Sequence, residues 1–420
     1  MIGFHYFPDD VHYRAKDLKV WLPELKALGA SWVTLRGSLA RAIPESFLRP
    51  LIESGIEPII YLQPGAVQAV DLDALEVLYR CYASWGARYV VVYDQPNTRA
   101  AWPAEAWGHD DLVNTFLDLL LPTLQLAQAN GLTPVFPPLK QVGDYWDTSF
   151  LDKALVLMKG RDHTPLLEVM TFGIYGFTNN RPVDWGAGGP TQWSAAKPYN
   201  VPPGSQDQSG FRAFEWYADV IRNRLGSERP MVMLAGGADP DDADSNECNT
   251  AIARAALAHD FPSYLLNVNF WLLAGDERAA WRRSDGTALP ALEAVRQLAA
   301  TARQTEAATP AQSKGIPKHL PTSLKPIYHY LLLPSAEWSN WIAALEYVRK
   351  FRPTCGFSIE EAVYAAHVTL LGDEGVINAE VEHALRAAGC EVERVCAGDA
   401  IATQDQLNAR ASAGTRFATL

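Results

Sequence analysis

Residues 1–305 are expected to fold as a closed (β/α)8 barrel, and residues 326–420 as a separate small α/β domain. Three observations predict this. Short β-rich runs alternate with longer helical runs eight times within the first three hundred or so residues. The strand runs are apolar almost throughout, as in a parallel sheet buried on both faces. Most helical runs stop at a glycine, the usual left-handed terminator. Eight units are the number that closes a barrel. An open doubly wound sheet is the alternative. It would need a glycine-rich dinucleotide turn after the first strand, and none is present.

The elements follow in order. Strand one is Gly3–Phe7, and its helix spans Leu18–Leu28, ending at Gly29. Strand two is Trp32–Arg36, with a helix over Pro44–Ser54 closed by Gly55. Strand three is Pro58–Leu62, with a helix over Leu72–Trp85 closed by Gly86. Strand four is Tyr89–Tyr93, and a long helix over Leu112–Ala129 stops at Asn130-Gly131. Strand five is Thr133–Phe136, with a helix over Ser149–Met158. Strand six is read as Leu166–Ile174, which makes Glu168 a structural carboxylate at the barrel bottom. The loop Gly176–Gly210 follows, rich in Gly, Pro and aromatic residues. A helix over Phe211–Leu225 leads to strand seven, Met231–Leu234. A helix over Thr250–His259 leads to strand eight, Tyr264–Leu272, and Leu289–Ala300 closes the ring.

The polar, Ala/Thr/Ser/Pro-rich run from Arg303 to Leu324 suits a linker, bounded here as residues 306–325. Beyond it come a strand Ile327–Leu333, helices Trp338–Phe351 and Ile359–Ala366, a strand His367–Leu371, a helix Ala379–Ala388 and a strand Glu391–Val395.

Composition narrows the function classes. The net charge of −12 argues against nucleic acid and against an anionic membrane surface, which both need a basic footprint. No apolar run is long enough to span a bilayer, so no membrane insertion is expected. The first residues lack a basic n-region and an apolar h-region, so no secretory signal is read there. The chain is expected to be cytoplasmic or released by a signal-free route, with cell-surface association left open. The five cysteines are scattered without a CxxC pair, which disfavours a zinc site or a disulfide framework; no metal and no cofactor are expected. The 13 Trp are many for this length. They can fill a core or stack on the flat faces of sugar rings.

In a (β/α)8 barrel the loops at the strand carboxyl ends carry function. The candidates there are His5, Arg36, Gln63, Asp94-Gln95-Pro96-Asn97, Lys140, Tyr175, Ala235-Gly236-Gly237-Ala238-Asp239 and Trp271. Trp185 and Trp193, in the long loop, are either sugar-stacking rings or pins that hold the loop to the rim. His5 and His12 read as hydrogen-bonded supports. The run Asp239–Asp244 reads as a solvated acidic loop.

This set resembles the clan of retaining glycosidases that includes cellulases and β-xylosidases. There strand four ends in Asn-Glu-Pro, whose Glu is the acid/base, and strand seven ends in a Glu nucleophile. Strand two carries an Arg, strand six a Tyr, and strand eight a Trp. Asp94-Gln95-Pro96-Asn97 matches the strand-four motif and Pro230–Gly237 the strand-seven motif. The resemblance implies a glycan-binding site of Arg36, Gln95, Asn97, Tyr175 and Trp271, with Trp185 and Trp193 as further platforms. The two decisive positions depart from the pattern: Gln95 replaces the acid/base and Ala235 the nucleophile. Hydrolysis by this route needs two carboxyl groups flanking the bond. The chain is therefore expected to recognise a polysaccharide or cell-wall glycan as a pseudoenzyme. One alternative is an active glycosidase with Asp94 and Asp239 as a displaced catalytic pair, although unbroken strand alternation would turn Asp94 away from the site. Another is a structural component of a phage-tail, lysis or injection apparatus, as a homo-oligomer or part of a larger assembly.

The C-terminal unit resembles the type 2 cell-wall-binding repeat of bacterial surface proteins. The matching residues are Val368–Gly372, Gly375-Val376-Ile377, the helix through Leu385, Val392–Val395, Gly398 and Thr403. One copy is present where such repeats come in threes. A small docking or oligomerisation domain is the other reading.

Overall fold

The computed structural model describes residues 1–108, 111–242, 244–308, 325, 327–333, 338–374, 377–396 and 400–417. The chain divides into two compact units, Met1–Ala307 and Ala308–Leu420.

In the first unit eight parallel strands close into a barrel in sequential order. They are β1 (Ile2–His5), β2 (Trp32–Gly37), β3 (Glu57–Leu62), β4 (Tyr89–Val92), β5 (Thr133–Phe136), β6 (Thr171–Phe177), β7 (Met231–Gly237) and β8 (Leu265–Phe270). Helices follow each strand: α1 (Ala15–Ala27), α2 (Glu45–Glu53), α3 (Leu72–Ser84), α4 (Leu112–Ala129), α5 (Asp147–Gly160), α6 (Thr164–Val169), α7 (Gly189–Gln192), α8 (Ala213–Leu225), α9 (Ser245–Leu257) and α10 (Pro290–Ala308). A two-stranded pair, β9 (Ala274–Gly275) and β10 (Arg282–Arg283), lies in the loop after β8.

Strand alternation sorts the core into two layers. In β3, Ile59 and Tyr61 enter the barrel interior, while Ile60 and Leu62 join the layer between strands and helices. The interior also takes Val91, Val135, Tyr175, Val232, Leu234 and Ala235. Buried amides patch its irregularities. The register slips between Met231 and Val232, and there Asn267 bonds the Met233 amide and carbonyl with its own side chain. Glycine at position 3 is required by space: a Cβ would stand 1.9 Å from Asn269 Oδ1 and 2.6 Å from the Trp32 carbonyl. The ring is clasped where it closes. Buried Glu24 of α1 pairs with Arg296 of α10 at 2.5 Å and with Arg282 of β10 at 3.3 Å.

Three expectations are corrected. Residues 166–169 are not strand. Pro165 presets the first turn of α6, and Leu166, Leu167 and Glu168 continue it, so β6 starts only at Thr171. Glu168 is accordingly exposed on a helix rather than buried beneath the barrel. The closing helix runs past Ala300 to Ala308, because its Ala, Gln and Arg residues are good helix formers. The rest of the expected linker, 309–324, lies outside the described residues.

The second unit is a four-stranded parallel sheet, order β12-β11-β13-β14. Its strands are β11 (Ile327–Leu332), β12 (Thr354–Gly356), β13 (Ala365–Leu371) and β14 (Glu391–Val395). Its helices are α11 (Trp338–Phe351), α12 (Ile359–Ala362), α13 (Ala379–Ala387) and α14 (Ala400–Ala413). Tyr330 and Leu332 face a core with α12 and α13; Leu331 and Leu333 face one with α11 and α14. Both faces are thus covered. Strand β12 and helix α14 escape the sequence reading, the first because three residues carry no periodicity. The second helix of this unit is shorter than expected, since strand β13 already begins at Ala365, which pairs with Ile327 of β11. Gly375, Val376 and Gly398 of the repeat-like motif lie outside the described residues.

Candidate active site at the barrel mouth

The exit of β4 decides the geometry of the mouth. The strand ends at Val92, and the backbone turns through left-handed conformations at Tyr93 (φ 73°) and Gln95 (φ 44°). That turn breaks the two-residue alternation. Tyr93 goes outward into the helix layer, where its ring meets Phe116 and its hydroxyl donates to the Gln68 carbonyl at 2.9 Å. Asp94 is left facing the mouth, the opposite of what unbroken alternation gives. The turn is braced from behind. Gln95 N–H donates to the Pro138 carbonyl at 3.0 Å, and Trp102 Nε1 to the Pro96 carbonyl at 2.8 Å.

Asp94 sits in a net of donors. Tyr175 donates to its Oδ1 at 2.8 Å, and Gln63 Nε2 reaches its Oδ2 at 3.4 Å. Tyr61 adds a further hydrogen bond and lies 3.0 Å, hydroxyl to hydroxyl, from Tyr175. Tyr175 comes from β6, at a register slip against β7 that sets it opposite Ala235. Burial pushes the Asp94 carboxyl upward in pKa; the bonds from Tyr61 and Tyr175 and the charge of Arg36 pull against it. Burial holds the Tyr175 and Tyr61 hydroxyls protonated, well above the usual tyrosine range. Gln95 also bonds Tyr175 through its side chain.

His5, Arg36 and Trp271 form the other flank. Arg36 Nη1 donates to the Pro8 carbonyl, which carries the guanidinium toward the β1 exit. The Trp271 amide bonds the Gly236 carbonyl at 2.9 Å, and its ring lies 4.5 Å from the His5 ring. Trp271 packs partly buried against the interior residues beneath the mouth. His5 is buried, its Nδ1 has no hydrogen-bond partner among the described residues, and burial together with Arg36 lowers its pKa to about 3. It is a neutral ring.

Glycoside hydrolases are among the solved structures similar to this chain. One is an endo-β-1,3-glucanase of GH128 subgroup I from Amycolatopsis mediterranei in complex with laminaritriose (13% identity, TM-score 0.40, 70% of this chain and 98% of that one). Another is a GH128 subgroup II endo-β-1,3-glucanase from Sorangium cellulosum (16%, TM-score 0.43, 70% and 98%). A third is a family 39 glycoside hydrolase from the gut symbiont Bacteroides cellulosilyticus WH2 (12%, TM-score 0.46, 71% and 64%). No family model and no curated protein matches the chain.

Of the residues singled out in the sequence, Arg36, Gln63, Asp94, Gln95 and Tyr175 are joined by these contacts, with Ala235 opposite Tyr175 and Trp271 beside His5. The others stand apart. Asn97 is buried, and its amide is spent on the Lys140 amide and the Lys140 and Tyr145 carbonyls, tying the β4 loop to the β5 loop. Trp185 donates to Asp207 at 2.9 Å under the guanidinium of Arg181, and Trp193 donates to the Ala187 carbonyl at 2.9 Å. Both indoles knit the long loop to itself. Asp239 is exposed and caps the Asp241 amide at 2.9 Å; no hydrogen bond connects it with Asp94 among the described residues. His12 pairs with Asp9 at 2.7 Å.

Tyr61 and Asp147 were not singled out. Tyr61 sits mid-strand in a run that reads as plain core, and only the barrel's curvature brings it under Asp94. Asp147 is fully buried, accepts from Gln208 at 2.6 Å and Tyr217 at 2.8 Å, and has its pKa raised to about 6 by burial. It moors the long loop, and nothing local in sequence marks it. Among the described residues no cluster of His, Cys, Asp or Glu could hold a metal ion, and no helix is long and apolar enough to cross a membrane.

Proposed function

We propose that the barrel is a glycan-binding module that does not hydrolyse its ligand. One observation carries this reading: among the described residues Asp94 is the only acid within the hydrogen-bonded net of the mouth, and the residue opposite Tyr175 on β7 is Ala235. A paired-carboxylate mechanism needs a second acid across the bond. Asp94 has Tyr175, Tyr61, Gln63 and Arg36 as its partners, which are donors that orient it and none that replaces a nucleophile. Sugar hydroxyls suit such a mouth. Trp271 offers a partly exposed flat ring, and Arg36, Gln63, Asp94 and Gln95 offer donors and acceptors at its edge. Exposed Asp239, turned to its own loop, gives no support to the displaced-pair enzyme.

We read the second unit as the part that attaches the barrel to a wall glycan or a partner; its β13–α13–β14 run carries most of the repeat-like residues. The ligand class of the whole chain is accordingly a polysaccharide or cell-wall glycan.

The test is binding by calorimetry to a panel of polysaccharides, alongside reducing-sugar release. Wild type should bind at least one member and release no sugar. Trp271→Ala should weaken binding roughly five-fold, since stacking on one ring is worth on the order of 1 kcal/mol. Robust sugar release that disappears in Asp94→Asn would overturn the reading, as would wild-type indifference to the whole panel.

A further inference from the structure

The cleft beside Asp94 does not end there. Its volume is about 280 Å³, and it shares Arg36, Gln63, Pro64 and Gly65 with a larger cleft of about 470 Å³ over the β1 and β2 exits. That cleft shares Asp10 and Ser38 with a third, of about 190 Å³, whose lining adds Arg14 and Arg41. The three join into one trough crossing the exits of β4, β3, β2 and β1 in turn. Neighbouring strands lie ~4.8 Å apart, so four strand ends span roughly 14 Å before the loops splay outward. That length suits a chain of sugar rings rather than one ring.

The trough wall is charged but balanced. Arg41 donates to the Asp10 carbonyl at 2.9 Å and lies 3.6 Å from its carboxylate. Asp9 is taken by His12, and the charge of Arg36 acts on Asp94. Small residues line the middle stretch: Gly37 and Ala40 on one side, Pro8, Pro64 and Gly65 along the rest. Arg14 has no ion-pair partner among the described residues, and the other cations of this wall stand against a carboxylate; a wall so nearly balanced, with its backbone close to solvent, favours hydroxyls over a polyanion.

We infer that the trough binds an extended, uncharged glycan several rings long, one stretch of it seated at the Asp94 mouth and the rest running out over the β1 and β2 loops. This inference rests on the glycan-binding reading of the mouth and adds the ligand's length and charge. Arg41 and Asp10 together form the outer hydrogen-bonding edge, and Ala40 leaves the room through which the chain passes.

The experiment is calorimetry on the full chain with cello-, laminari-, xylo-, manno- and chito-oligosaccharides, each as the dimer and the hexamer, and with oligogalacturonate as the charged control. For the oligosaccharide that binds, the hexamer should bind at least ten-fold more tightly than the dimer. Ala40→Leu, which narrows the middle of the trough, and Arg41→Ala, which removes its outer edge, should each weaken the hexamer roughly ten-fold and leave the dimer unchanged. Thermal melts of both variants establish that each is folded. Equal affinity for dimer and hexamer, no change in either folded variant, or preference for oligogalacturonate overturns the trough while leaving the mouth reading intact. Absence of binding by every oligosaccharide, dimers included, brings down the mouth reading and the trough with it.

Discussion

Two buried titratable groups in the barrel should bend its stability in opposite directions as the pH falls. His5 has a folded pKa of about 3, against about 6.5 in an unfolded chain. Its contribution is fully present above pH 6.5 and is lost as the unfolded state takes up a proton that the fold refuses. At pH 4.5 that loss is about 3 kcal/mol. Asp147 has a folded pKa of about 6, against 3.8 unfolded. At neutral pH its buried charge is a standing penalty, which protonation relieves as the pH falls from about 6 toward 3.8. At pH 4.5 the relief is about 2 kcal/mol. In the wild type the two nearly cancel. His5→Asn removes the first term, so the barrel should gain about 2 kcal/mol between pH 7 and pH 4.5 relative to a chain lacking both. Asp147→Asn removes the second, so the barrel should lose about 3 kcal/mol over the same interval. Each substitution also costs packing, but that cost is common to both pH values and drops out of the slope. Denaturant unfolding at the two pH values measures the slopes. Hydrogen exchange at amides of β1 and α5 confines the readout to the barrel, away from His329 in the second unit, whose pKa is also lowered to about 3. Parallel pH profiles for the two variants would refute the assignment of these burial effects.

Gly3→Ala should destabilise the barrel by 3 kcal/mol or more, on the order of a severe overpacking defect, because its Cβ meets a backbone carbonyl that cannot swing aside; a denaturant melt reads it. Tyr175→Phe should raise the Asp94 pKa further, since it deletes a donor to the carboxylate, and carbon-detected NMR titration of that carboxyl should follow the change. Gln95→Glu alone should leave sugar release at background, because it supplies one new acid with no nucleophile opposite. Gln208→Ala should loosen the long loop and cost on the order of 1–3 kcal/mol, because it deletes a donor to buried Asp147; faster proteolysis near Asp207 and a lowered melting temperature would report it.

The fold was legible in sequence because closure of a barrel depends on patterns that repeat: apolar strand, amphipathic helix, glycine stop. It failed where the pattern is ambiguous over a few residues. Leu166 to Val169 reads equally as buried strand or as helix, and Pro165 tips it to helix through its fixed φ, an effect of the backbone rather than of hydrophobicity. The site divides along the same line. Arg36, Gln95, Tyr175 and Trp271 sit at or just past strand ends, a rule that position along the chain can apply. Asp94 also sits there, but its direction could not be had by counting, because counting in twos assumes extended backbone and Tyr93 and Gln95 are left-handed. The same turn that reversed Asp94 also buried the amide of Asn97 against the β5 loop, removing a residue that the motif alone would place before a ligand. Strand-end position tells which residues can reach the mouth. The backbone conformation of the two or three residues past the strand tells which do: here it turns Asp94 to the mouth, where Tyr175 holds it, and spends Asn97 on the neighbouring loop.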